Sequence, residues 1–237
     1  MKKSYFHAAQ KNVTIVVLTC LIFLLFSPQI FANVEKVDET ATAKHGGIAF
    51  VGSSSIMFWF KLKKDFASLP VFRFGVAGAN FHHVESFTSL FVIRRKPRII
   101  VVYAGENDVT VKLPGFRKSP ADVAHSFTKF AQSVHAKLPK TWIFFLAIKP
   151  SPKRFDHWPD LCEANALVAD SCNEDPRLFY LDGTEALLPF DASTPTRELY
   201  AWDGLHLNRR GYRAWASILG PILEECYDRH QSSFKNW

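Results

Sequence analysis

The chain is poor in cysteine, the residue from which disulfide frameworks and thiolate zinc sites are built. Of 237 residues four are cysteine, and Cys20 falls in an apolar N-terminal run. No Cys-x-x-Cys pair occurs, so the commonest zinc spacing is absent. Cys162, Cys172 and Cys226 remain, an odd number. The first two share one segment of helical pattern, where ten residues at a 1.5 Å rise set them about 15 Å apart, beyond the span of a disulfide. Buried thiols are the first expectation and a disulfide the second. Also missing are a low-complexity linker, an internal repeat, and the glycine-rich Gly-x-x-x-x-Gly-Lys-[Ser/Thr] and Gly-x-Gly-x-x-Gly patterns. Without the last two, nothing supports a nucleotide-binding enzyme. Lys and Arg are scattered, and the clusters Arg94-Arg95-Lys96 and Arg209-Arg210 read as solvated surface, so no nucleic-acid partner is expected.

Acid is missing from residues 1–32, which carry Lys2, Lys3 and Lys11 ahead of an uncharged run from Val13 to Phe31. A basic start, an apolar stretch and a small residue at Ala32 make a signal peptide over 1–32, with export to the periplasm or medium. The alternative is an uncleaved membrane anchor, since the run approaches the roughly 20 residues that span a bilayer. Thr19 precedes Cys20 where a lipid-modified cysteine needs a small residue, which argues against a lipid anchor. Loss of those three lysines takes the formal charge from +7 to +4. With 48% hydrophobic and 22% charged residues, the remainder suits one folded domain over about 44–230, followed by a tail at 231–237.

Short apolar runs alternate with segments of helical period. Ile48-Ala49-Phe50-Val51 ends at Gly52 and reads as a strand buried on both faces, with a helix from about Ser54 turning Ile56, Phe58, Trp59 and Leu62 inward. Val71–Phe74, Arg98–Tyr103, Trp142–Ile148 and Leu178–Leu181 are further strands. Helices are expected over His82–Phe91, from a Ser119 cap and Pro120 to about Leu138, over Asp160–Cys172 and over Asn208–Glu225. Such alternation gives a parallel α/β sheet, whose ligands bind beyond the carboxyl ends of the strands.

The polar motifs fall at those ends, apart from the last, which precedes the closing helix. Gly52-Ser53-Ser54-Ser55 presents a serine after a strand; Gly75 to Gly78 follows the second strand; Gly105-Glu106-Asn107-Asp108 follows the third; Asp203-Gly204-Leu205-His206 completes the set. A serine hydroxyl needs a base to take its proton, a role open to His206, with Asp203 to hold its tautomer. Gly78 and Asn107 can supply oxyanion donors, together with the Ser54 backbone N–H. Each has an ordinary reading as well: the serines cap a helix, Asp203-Gly204 makes a turn, Gly78 supplies a left-handed residue and Asn107 bonds its own loop.

Taken in order, these motifs resemble the SGNH hydrolases, also called the GDSL lipase/esterase family, as do Tyr103–Asp108, Ile148–Pro152 and Asp203–Asn208. The resemblance implies a flavodoxin-like three-layer α/β/α sandwich with about five parallel strands. It places catalytic roles on Ser54, Asp203 and His206, and the oxyanion hole on Ser54, Gly78 and Asn107. Ser53 stands where relatives carry Asp, which leaves Ser53 and Ser55 as fallback nucleophiles, and Ala79-Asn80 follows Gly78. The implied activity is hydrolysis of a small, lipid or sugar ester through an acyl-enzyme, with neither metal nor organic cofactor. Acyl transfer to cell-envelope glycan and a binding protein that has lost the reaction are the alternatives. Phe58, Trp59, Phe81, Phe116, Phe155 and Trp158 are candidates for an acyl pocket or for core, and His82 and His83 for its rim.

Overall fold

In a computed structural model, residues 46–111, 115–189 and 193–229 are described. The expected signal or anchor segment at 1–32 and the tail at 231–237 lie outside them. Five parallel strands, β1 (Ile48–Gly52), β2 (Val71–Gly75), β3 (Ile99–Tyr103), β4 (Trp142–Leu146) and β5 (Leu178–Leu181), form one sheet in the order β2-β1-β3-β4-β5. The helices are α1 (Ser54–Met57), α2 (Leu62–Asp65), α3 (Phe81–Phe87), α4 (Glu106–Thr110), α5 (Pro120–His135), α6 (Trp158–Cys172) and α7 (Arg209–Arg229).

Every residue of β1 and β3 is buried, because both faces of these central strands are covered. Ala49, Val51, Ile100, Val102 and Phe145 face one apolar layer with Val84 of α3, Phe127 and Phe130 of α5 and Val168 of α6. Ile48, Phe50, Val101 and Phe144 face the other, with Trp59, and with Trp215, Leu219 and Leu223 of α7. This is the expected three-layer α/β/α arrangement. α5 starts as its sequence dictates: the Ser119 side chain accepts from the Asp122 N–H, the Asp122 side chain accepts from the Ser119 N–H, and Pro120 occupies the first turn.

Three local expectations need correction. α1 is one turn rather than a long helix, because Trp59 swings into the core against Tyr212 at 5.0 Å and Phe50 at 5.6 Å, leaving Phe58 half-buried. The helix expected to Phe91 is α-helical only over Phe81–Phe87, then widens to a π-turn at Thr88–Val92, with Phe87 and Phe91 both packed on Phe74 of β2 at 4.9 and 5.2 Å. Of the cysteines, Cys172 is buried but Cys162 is exposed, because it lies on the outward face of α6; neither forms a disulfide.

The chain leaves β1 to form β2 on one side and returns to form β3 on the other, so the β1/β3 crevice is the topological switch point. Gly52 ends β1 there. A Cβ on it would stand 2.2 Å from the Tyr103 carbonyl oxygen, and that oxygen is held in place by accepting the Ser53 N–H at 3.2 Å. Gly52→Ala is therefore expected to lower unfolding free energy by about 3 kcal/mol, as overpacking against fixed backbone does. Urea unfolding measures it, and a loss below about 1 kcal/mol, the low end for overpacking, would show that the turn can yield.

Candidate active site

The candidate residues come together at the carboxyl edge of the sheet from four separate connections. Ser54 opens α1, so its N–H is one of the donors a helix start leaves without a partner in the helix. Its hydroxyl lies 3.0 Å from Nε2 of His206. Ser53 and Ser55, the fallback nucleophiles, are 2% and 1% exposed and turned into the protein, and the Ser55 carbonyl accepts the Tyr212 hydroxyl of α7 at 2.9 Å. Ser54 alone of the three is partly exposed and bonded to the histidine.

The Asp203–His206 segment is a built turn. Its two stems pair antiparallel at Tyr200 and Leu207, Ala201 N–H donates to the His206 carbonyl at 2.7 Å, and Gly204 takes a left-handed φ of 66°. One oxygen of Asp203 accepts from the N–H groups of Leu205 at 2.9 Å and His206 at 3.0 Å, while the other lies 2.6 Å from His206 Nδ1. Partial burial pushes the Asp203 carboxyl up, but these hydrogen bonds and the histidine outweigh it and bring it down to about 2. It is thus ionised at neutral pH and accepts a hydrogen bond from Nδ1–H, which leaves Nε2 free to accept from Ser54. Phe58 stands edge-on to the His206 ring at 5.0 Å and limits its swing.

Asn107 lies in the first turn of α4, after Gly105 at the end of β3. Its Nδ2 donates to the Ala79 carbonyl at 2.9 Å, which ties it to the Gly78 loop. That loop is anchored to β1 by Val76 N–H donating to Gly52 O at 3.0 Å. Gly78 has φ 73°, is exposed and meets nothing where a Cβ would stand. Asp108, buried beside Asn107, accepts the Phe81 N–H that starts α3.

The structure sorts the candidate aromatics. Trp59 and Phe81 belong to the core, Phe116 is exposed, Phe155 stacks on Trp158 at 6.4 Å, and Phe58 alone touches the histidine. His83 completes a capping box with Asn80, and His82 is exposed on the same turn.

Sequence reasoning gave no role to Glu106, Lys149 and Arg154. Glu106 and Lys149 are buried at the ends of neighbouring strands, with Lys149 Nζ 2.6 Å from Glu106 Oε2, and Arg154 Nη1 is 3.2 Å from Glu106 Oε1. Opposite charges closing two adjacent apolar strands were the available signal.

The sequence profile of the GDSL-like Lipase/Acylhydrolase family matches residues 57–214, and the chain belongs to that family. The match includes Gly78, Asn107, Asp203 and His206 and begins just after Ser54. No curated protein matches the chain by sequence. Among solved structures, a GDSL-like lipase from Bacteroides thetaiotaomicron VPI-5482 is similar at 15% identity and TM-score 0.65, over 84% of this chain and 98% of that one. The lipase/acylhydrolase from Enterococcus faecalis gives 16% and 0.60, over 76% and 95%. A Clostridium thermocellum family 3 carbohydrate esterase gives 15% and 0.59, over 78% and 98%. At these identities the likeness is one of fold.

Proposed function

We propose that the protein is an exported serine esterase that cleaves carboxylic esters through an acyl-enzyme on Ser54. The observation that carries this reading is the unbroken line from Asp203 to His206 Nδ1 at 2.6 Å and from His206 Nε2 to Ser54 Oγ at 3.0 Å, on a family scaffold of acylhydrolases. In the forward step His206 takes the Ser54 proton as Oγ attacks the carbonyl carbon, and Asp203 stabilises the imidazolium. The N–H groups of Ser54 and Gly78 and the free amide hydrogen of Asn107 receive the oxyanion. His206 then protonates the leaving alcohol, and water, activated by the same histidine, releases the acid.

The test is hydrolysis of p-nitrophenyl acetate, butyrate and octanoate, with mass spectrometry of the protein after a fluorophosphonate. Turnover together with a single adduct on Ser54 is expected. An adduct on another residue would move the nucleophile. An adduct on Ser54 with transfer of acetyl to added sugar, and no release to water, would make the protein an acyltransferase.

A further inference from the structure

An asparagine amide has nearly the same shape either way round, so its partners decide which end faces a site. Asn107 Oδ1 accepts from Arg154 Nη1 at 3.1 Å, and Nδ2 gives one of its two hydrogens to Ala79 O. With the oxygen taken by a guanidinium, only the second N–H is left to offer. A cation on Oδ1 also polarises the amide and makes that N–H a stronger donor.

Arg154 is itself held. Its Nη1 is shared with Glu106 Oε1, and the other Glu106 oxygen takes the Tyr103 hydroxyl at 2.7 Å and Lys149 Nζ at 2.6 Å. Burial pushes the Glu106 carboxyl up, but the Lys149 and Arg154 charges and these hydrogen bonds carry it below its usual value, so it stays ionised. An ion pair buried this deeply adds little to stability over apolar side chains of the same size. Its position at the ends of β3 and β4, behind Asn107, suits orientation better than stability. Arg154 reaches it because its backbone leaves helical geometry (φ −122°, ψ 18°) inside the Pro152–His157 turn. The neighbouring Lys153 N–H donates to Gly204 O at 3.0 Å, so one short loop touches both the Asp203–His206 turn and Asn107.

We propose that Arg154 is a positioning residue, which fixes the Asn107 amide with its N–H toward the substrate oxyanion and takes its own orientation from the buried Glu106–Lys149 pair. The proposal rests on the esterase reading for its kinetic consequence and on geometry alone for its structural one. Arg154→Met is the variant, because Glu106 keeps Lys149 and Tyr103, so the fold is expected to survive, which a thermal melt checks. Two readouts are needed. Side-chain 15N relaxation of the Asn107 amide reads positioning without turnover, and is expected to change from ordered to mobile. On p-nitrophenyl acetate, kcat is expected to fall about 10- to 100-fold with KM within about twofold, the cost of a misplaced group. In an Asn107→Ala background the same change should cost less than about threefold, because the group it positions is gone.

An Asn107 amide as ordered in the variant as in the wild type overturns the proposal, as does a full loss repeated on top of Asn107→Ala. If the amide loosens while even the wild type leaves every ester intact, the positioning stands and the esterase reading falls.

Discussion

Ser54→Ala is expected to reduce ester turnover by on the order of 10⁴- to 10⁶-fold while leaving the fold in place. The size follows from what the proposed mechanism loses: without Oγ no acyl-enzyme would form, and only water attacking a carbonyl held by the proposed oxyanion donors would remain. The small structural cost also follows. Ser54 is partly exposed, its hydroxyl bonds to His206, and one such hydrogen bond contributes about 1 kcal/mol. The backbone that shapes the turn is untouched, since Ser53 O still accepts from the Ile56 and Met57 N–H groups. Steady-state kinetics beside a thermal melt measures both. Loss of less than about tenfold, far short of what removing a nucleophile costs, would place the nucleophile elsewhere. Because Ser53 and Ser55 are buried, the next place to look would be another part of the chain.

What sequence made legible was the part that depends on local pattern. Ile48–Val51 could be read as a doubly buried strand from its continuous apolar run, and Arg98–Tyr103 as a strand from its density of β-branched residues. Asp203 and His206 could be paired because they share one short turn. Where tertiary packing overruled local preference, the reading failed: the helix from Ser54 stopped after one turn, though Trp59 faces the core as expected, and Thr88–Val92 widened into a π-turn. The buried ion pair was missed for a different reason: the charges closing two apolar strands were visible, but their pairing was not. Glu106 and Lys149 lie 43 positions apart, and only the β3–β4 pairing puts them side by side. The role of Arg154 depends in turn on that pairing and on a kinked turn, and no residue pattern around it announces either.

Asp203→Asn should slow the enzyme by about 10³- to 10⁴-fold without stopping it. An asparagine side chain can accept from the Leu205 and His206 N–H groups as the carboxylate does, so the turn keeps its shape. What is lost is the negative charge 2.6 Å from Nδ1, which in the proposed mechanism selects the tautomer with Nε2 free and stabilises the imidazolium. The loss should fall on kcat, since ground-state binding does not involve Asp203. The same variant carries a second signature in acid. A carboxyl that titrates at about 2 when folded and at 3.8 when unfolded stabilises the protein fully above pH 3.8. That contribution declines as pH falls through the window and is gone below about 2. At about 1.36 kcal/mol per pH unit it amounts to about 2 kcal/mol. The amide introduced by Asp203→Asn cannot titrate, so wild type and variant should differ most in urea midpoint at about pH 5 and converge as pH falls toward about 2.5. Parallel curves across that range would show that the Asp203 carboxyl is not held down by its turn. Unchanged kcat would remove Asp203 from the triad whatever the curves did. The two readouts are independent, because the first reports a charge acting on His206 during turnover and the second reports the same charge held by the resting fold.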